Sequence, residues 1–302
     1  FRRVLFRSLG AIEHKGIAER MFRSFPEVFS TKYGRACTIY SRSTVVPRCI
    51  LSMAANNERL KELNPEITIT REASNKHTYL NTEYPTAGND SLYRVCRTFM
   101  NNHFDTPLFL STLFADTLYA REHVKDAAVF IFDIFQVAGD LQDLDHLNVT
   151  LFDIFSQEDI FTLWQTMNIK RYLDFTNQEA RASARGLLKN ILDGADGAIT
   201  YGKLSADLRF GHDSYLTALL ALMNINELYD QSPDPEQIYR VWSDFKVTPM
   251  GSNLQLIFYR NSKSGEVIVK ILHCEQEAKI PLSTDMAPYS RWKDCQAYYR
   301  LK

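Results

Sequence analysis

The chain has 302 residues, 45% hydrophobic and 24% charged, a balance that excludes a disordered chain and a fibrous repeat and allows one large domain or two modest ones. A net charge of −1 argues against a dedicated nucleic-acid binder. The longest runs without a charged side chain, Ser214–Asn226 and Val247–Tyr259, are 13 residues each, short of the roughly 18 that a membrane-spanning helix needs.

The string Arg2-Arg3-Val4-Leu5-Phe6-Arg7-Ser8 reads like the translation of a sequencing adaptor. Residues 1–8 are therefore expected to be non-native and the natural chain to continue upstream; a basic N-terminal arm is the alternative. Apolar spacing then predicts a helix over Ile12–Phe25, with Ile17, Met21 and Phe25 four apart and Pro26 ending it. A strand over Ala36–Ser41 and a polar turn Arg42-Ser43-Thr44 lead to a helix over Val45–Leu63, with Pro47 in its first turn. Glu66–Arg71 alternates as a strand. This strand–helix–strand order predicts an α/β core.

From Gly88 to Phe175 the pattern becomes successive helices, over Leu92–Phe104, Leu108–Arg121, Val124–Ala138 and Asp159–Phe175. Within them, Asp126–Asp159 holds eight acidic residues and no Lys or Arg, which reads as a solvated acidic surface and not as a phosphate site. A further helix over Gln178–Leu192 precedes a strand over Ala206–Phe210, then Gly211-His212-Asp213 and an apolar helix over Ser214–Met223. Leu254–Tyr259 and Val267–Leu272 form a hairpin, and Tyr289–Leu301 reads as a closing helix. The expected organisation is an α/β core from 9–84 and 177–302, interrupted by a helical insertion over 85–176.

Five cysteines, at 37, 49, 96, 274 and 295, include no CxxC pair, so no structural zinc site is expected. Their odd number precludes complete pairing and leaves a disulfide open. The histidines at 77, 103, 123, 146 and 273 lack metal-ligand spacing and read as structural or exposed. Trp164 and Tyr172, two helical turns apart, read as core.

Two strand-to-helix junctions carry the candidate chemistry. At Phe210-Gly211-His212-Asp213-Ser214 a strand exits into a helix N-terminus, where free amides and the helix dipole favour anions. His212 sits there as a donor or cation, or simply as a satisfied junction residue. Asp213 or Ser214 is a natural helix cap, and Asp213 could be only that. At the other junction Arg48 lies in a helix first turn, placed to fork onto a phosphate, or to sit in a surface salt bridge.

Ser41-Arg42-Ser43-Thr44-Val45-Val46-Pro47-Arg48-Cys49-Ile50-Leu51-Ser52-Met53-Ala54-Ala55 resembles the Arg-Cys helix of multiple inositol polyphosphate phosphatases. Ile154-Phe155-Ser156-Gln157-Glu158-Asp159-Ile160-Phe161-Thr162-Leu163-Trp164 resembles a segment of their helical domain, and Arg209-Phe210-Gly211-His212-Asp213 resembles the His-Asp motif of histidine acid phosphatases and phytases. The matches run in order over most of residues 12–302. The resemblance implies a phosphoglycerate-mutase-like α/β core with an inserted helical subdomain. It also implies a phosphomonoesterase of inositol polyphosphates, acting through a phosphohistidine and needing no metal or other cofactor. By it Arg48 and His212 bind the phosphate and Asp213 is the general acid. It further implies export to a bacterial periplasm, with the signal peptide outside this chain.

The sequence departs from that pattern twice. Inositol polyphosphate phosphatases read His-Ala-Glu, whereas here the acid, Asp213, directly follows His212 in the phytase manner, so ring-position specificity does not transfer. No Arg-His-Gly-x-Arg-x-Pro nucleophile motif is present; the nearest string, Glu13-His14-Lys15-Gly16, lacks both arginines. The natural chain is therefore expected to carry the motif upstream. A non-catalytic phospho-ligand-binding relative and a sugar-phosphate phosphatase are the competing readings.

Overall fold

A computed structural model describes residues 9–31, 36–80, 89–227 and 234–302; the expectation for residues 1–8 lies outside them. In chain order, α1 (Leu9–Ser24) and α2 (Pro26–Phe29) precede β1 (Thr38–Ser43), α3 (Pro47–Leu63) and β2 (Thr68–Ala73). Then come α4 (Asn89–His103), α5 (Thr106–Leu113), α6 (Thr117–His123), α7 (Ala127–Leu141) and α8 (Gln157–Phe175). They are followed by α9 (Gln178–Ser183), α10 (Arg185–Tyr201), β3 (Ala206–Phe210), α11 (Asp213–Met223), α12 (Ile238–Val241) and α13 (Asp244–Val247). The chain closes with β4 (Leu254–Arg260), β5 (Val267–His273), β6 (Gln276–Glu277), β7 (Tyr289–Arg291) and α14 (Trp292–Tyr299).

Two compact units result. Of the described residues, the α/β unit takes 9–31, 36–80, 175–227 and 245–302; the helical unit takes 89–174 and 234–244. In the α/β unit the parallel strands lie in the order β2-β1-β3. One sheet face is apolar: Ile39, Ile69 and Leu208 pack with Ala18, Phe29 and Leu60 from α1–α3. Ile39 is fully buried, which stabilises the sheet by about 1.5–3 kcal/mol. The second sheet is antiparallel, with β5 paired to β4, β6 and β7.

Several sequence expectations shift, each for a local reason. Pro26 begins the one-turn α2 as well as following α1, because its fixed φ suits a first helical position. The third helix starts at Pro47 and not Val45, since a residue before proline is pushed out of the α region and Val46 is extended. Arg42 and Ser43 belong to β1, not to a turn; both are buried, and Ser43 lies in register with Ala73 and Phe210. The Leu108–Arg121 periodicity is split because Asp116 caps α6, accepting from the amides of Leu118 and Tyr119 at 2.9 and 3.1 Å. Asp126, counted as solvated acidic surface, caps α7 through the Val129 amide. The helix expected over Gln178–Leu192 is two, broken at Ala184 and running on to the left-handed Gly202. Tyr289–Arg291 is not helical: it pairs with the outer edge of β5, and only Trp292–Tyr299 closes as a helix.

Residues 234–244, assigned from sequence to the α/β core, join the helical unit. The buried Asn168 and Gln165 of α8 donate to the carbonyls of Trp242 and Pro235 at 3.0 and 3.1 Å. Tyr172 packs edge-on against Trp242, and the Trp164 indole N–H donates to Asp244. All five cysteines are free thiols. No helix among the described residues is long and apolar enough to cross a membrane.

Two histidines give a pH prediction. Burial pushes His14 and His273 below the ordinary histidine value. His273 holds the Val247 carbonyl at 2.7 Å through Nε2, which needs only the neutral Nε2–H form. The unfolded chain takes these protons near pH 6.5, and the folded chain only below that. In the window between, the unfolded state binds more protons, so unfolding free energy rises with pH. Stability is expected to fall as pH drops below about 6.5, and replacing His14 or His273 by Asn should flatten that slope. Urea melts across this range check it; a slope unchanged in both variants would refute the assignment.

Candidate active site

The two junctions become one place because β1 and β3 are parallel neighbours in the register Ser43↔Phe210. The pairing continues past the strands: the Thr44 amide donates to the Phe210 carbonyl at 3.3 Å. Each chain then turns into a helix on the same sheet end, α3 from Pro47 and α11 from Asp213. Arg48, the second residue of α3, reaches across so that its Nη2 lies 2.9 Å from His212 Nδ1, a contact spanning 164 residues of sequence. Asp213 is the first residue of α11, and the first-turn amides of that helix have no intrahelical acceptor.

The cap assignment differs from the sequence reading. His212 itself occupies the N-cap position, with extended backbone, and no side chain caps the helix there. Asp213 lies one residue inside, where a carboxylate interacts with the helix dipole but is not required to close the turn.

The electrostatics follow from this packing. His212 is half-buried, whereas Arg48 and Asp213 are exposed. Burial first, and then the Arg48 charge, push the His212 ring below its ordinary value, against an opposing pull from Asp213. The arrangement presents a guanidinium, an imidazole and a helix N-terminus on one side, with a carboxyl next to them. That set can hold a phosphoryl group and deliver a proton to an oxygen leaving it.

Two groups that support the site were not singled out from sequence. Cys49, beside Arg48, is buried; its thiol donates to the Gly211 carbonyl at 3.2 Å and lies 4.0 Å from both His212 ring nitrogens. Burial pushes the thiol up, so it stays neutral. On the opposite sheet face, Asp207 accepts from Arg42 and from Arg209, the latter at 2.9 Å, and Arg42 also donates to the Tyr79 hydroxyl at 3.1 Å. Arg209 further holds Asn190 of α10 through its side-chain and backbone oxygens at 2.9 and 3.0 Å. This network clamps β1 to β3 two residues before each junction. The only sequence signal for it is the alternation of polar residues along both strands.

Among the described residues no three His, Cys, Asp or Glu side chains gather where a metal could sit. His77, His103, His123 and His273 are each engaged, by Tyr79, Glu236, the Tyr119 carbonyl and the Val247 carbonyl respectively. The side chain of His146 lies outside the description.

No protein-family model matches the chain, and no curated protein matches it by sequence. Solved structures do match. A multiple inositol polyphosphate phosphatase of Bifidobacterium longum in complex with inositol hexasulfate superposes with a TM-score of 0.71 at 15% identity, over 97% of this chain and 79% of that one. The phytase of D. castellii gives 0.65 at 14% identity, over 96% of this chain and 63% of the other. A Klebsiella phytase gives 0.60 at 12% identity, over 97% and 84%. Identities this low establish architecture alone: a parallel sheet flanked by helices. The chain has the histidine acid phosphatase fold.

Proposed function

We propose that this protein is a phosphomonoester hydrolase acting on inositol polyphosphates of the phytate type. The observation that carries the reading is the 2.9 Å contact between Arg48 and His212 at the end of two paired strand-to-helix junctions. In it Arg48 and His212 grip the phosphoryl oxygens, whose charge needs fixed donors in the transition state. A histidine nitrogen attacks phosphorus, a P–N bond forms and the P–O bond to the inositol breaks. Asp213 hands its proton to the departing oxygen. Water then attacks the phosphohistidine, Asp213 takes a proton back, and inorganic phosphate leaves.

The attacking histidine is not among these 302 residues, which contain no Arg-His-Gly-x-Arg-x-Pro. Among the described residues β3 pairs on one edge only, and its other edge, ending at Gly211, offers a place for a strand carrying that motif. By the same reading the protein is exported, with a signal peptide encoded upstream. The missing motif also favours a second reading, a phospho-ligand-binding relative that never had a nucleophile.

The 302-residue chain is expected to release no phosphate from phytate or p-nitrophenyl phosphate, and to gain that activity when joined to an upstream segment bearing the motif. Turnover of the 302-residue chain at about 1 s⁻¹ or faster would refute the missing-nucleophile reading. A complete gene without the motif would favour the binding relative.

A further inference from the structure

A guanidinium carries five N–H donors and no acceptor. The 2.9 Å approach of Arg48 Nη2 to His212 Nδ1 therefore fixes the ring: Nδ1 presents its lone pair and the single ring proton is on Nε2. In this arrangement His212 is a neutral donor through Nε2, not a cation. A polyanion bound between the two side chains would take over the guanidinium, because an oxyanion accepts a charge-assisted bond far better than an imidazole does. Nδ1 would then be free to accept a proton, next to a negative charge that favours the protonated ring.

We propose that binding of a phosphate-like polyanion draws Arg48 off His212 and is coupled to uptake of one proton by Nδ1 of that ring. The proposal rests on the reading of Arg48 and His212 as anion ligands. One N–H bond forms, the proton coming from solvent buffer, and no other bond changes. The titratable or charged groups facing the ring are Arg48 and Cys49 from α3 and Asp213 from its own helix. Cys49 stays protonated throughout. Asp213 is the rival group at the site, and the Asp213→Asn arm of the test removes it. The exchange would make this site bind anions more tightly in acid. Binding should strengthen by up to about tenfold per pH unit of acidification across the window in which the free ring is neutral and the bound ring charged.

The test uses the 302-residue chain and inositol hexasulfate, whose sulfates hold no titratable proton near neutral pH, so any proton taken up belongs to the protein. Calorimetric titrations near pH 6.5 in Pipes and in imidazole, which differ in ionisation heat, report the protons bound per ligand. The expected result is an uptake approaching about one proton, retained in Asp213→Asn and lost in His212→Gln. Arg48→Gln keeps a donor but removes the charge that holds the free ring neutral, so uptake should shrink with affinity. Ring nitrogen-15 spectra of the wild-type chain, with the His212 signals identified by their loss in His212→Gln, should show the Nε2–H tautomer before ligand and an imidazolium after it. Binding with equal heat in both buffers, uptake that survives in His212→Gln, or an Nδ1–H tautomer in the free chain would each overturn the proposal while leaving the anion site intact. Absence of any inositol hexasulfate binding would instead remove the site itself, and the proposal with it.

Discussion

Asp213→Asn, made in a protein that carries the nucleophile motif, is expected to lower kcat on phytate by roughly 10²–10⁴-fold, the usual scale for losing a general acid. The inositol oxygen is a poor leaving group, and asparagine cannot supply its proton. With p-nitrophenyl phosphate the loss should be smaller, because p-nitrophenolate departs with little protonation. Arg48→Ala should damage both substrates alike, since the guanidinium serves the phosphoryl group common to them. Since His212 and not Asp213 holds the N-cap position, Asp213→Asn should disturb the fold little: the lost helix-dipole interaction is worth about 0.3–1 kcal/mol. Steady-state kinetics on both substrates, with thermal melts of each variant, make the check. Equal slowing of both substrates with a clearly lowered melting temperature would show that Asp213 is structural and that the acid lies elsewhere.

The largest stability loss is expected at Asp207. Its carboxylate accepts from two guanidiniums, those of Arg42 and Arg209, while side-chain exposure is only 9%, 14% and 14% for Arg42, Asp207 and Arg209. Burial already pushes the Arg209 guanidinium down, and the Arg42 charge adds to that, with Asp207 opposing both. Asp207→Asn would leave two neighbouring buried cations without the anion between them. Removing one partner of a buried pair costs about 3–5 kcal/mol. Arg42→Met should cost less, because Asp207 and Arg209 would remain paired. The network also crowds α10: a Cβ at Gly194 would lie 2.7 Å from an Asp207 carboxylate oxygen and 2.8 Å from Arg209 Nη2, so a larger residue there would have to displace the ends of those side chains. Urea denaturation gives the ordering. A loss below about 1 kcal/mol for Asp207→Asn, the size of an ordinary substitution, would show that the carboxylate is not what keeps the two guanidiniums buried.

The chain's local chemistry is legible in its residues. The strand Ala206–Phe210 and the helix beginning beside Asp213 follow from a short β-rich run, a glycine exit and an uninterrupted apolar stretch, all decided within a few neighbours. The same is true of α3, although its start lies at Pro47 and not at the expected Val45, and of the antiparallel pair β4 and β5, whose turn takes Gly265 in the left-handed region. Breaks inside apolar helices were harder to see. Asp116 ends one helix register and opens another by capping amides, and hydrophobic periodicity does not register that.

What sequence alone could not decide are pairings between distant segments. Tyr289–Arg291 is a strand because β5 has an edge to fill, and residues 234–244 leave the α/β unit because Asn168 and Gln165 need their carbonyls. The meeting of Arg48 with His212, the Cys49 thiol against Gly211, and Asp207 between Arg42 and Arg209 all depend on β1 lying parallel to β3 in one register. A one-residue slip of β3 would turn Asp207 and Arg209 to the other face, away from Arg42, and would shift the two helix starts out of step. Local propensity carries no information about that register. It is set by the burial of Ile39, Ile69 and Leu208 against the helices on one side and by the ion network on the other, and these exist only once the chain has folded.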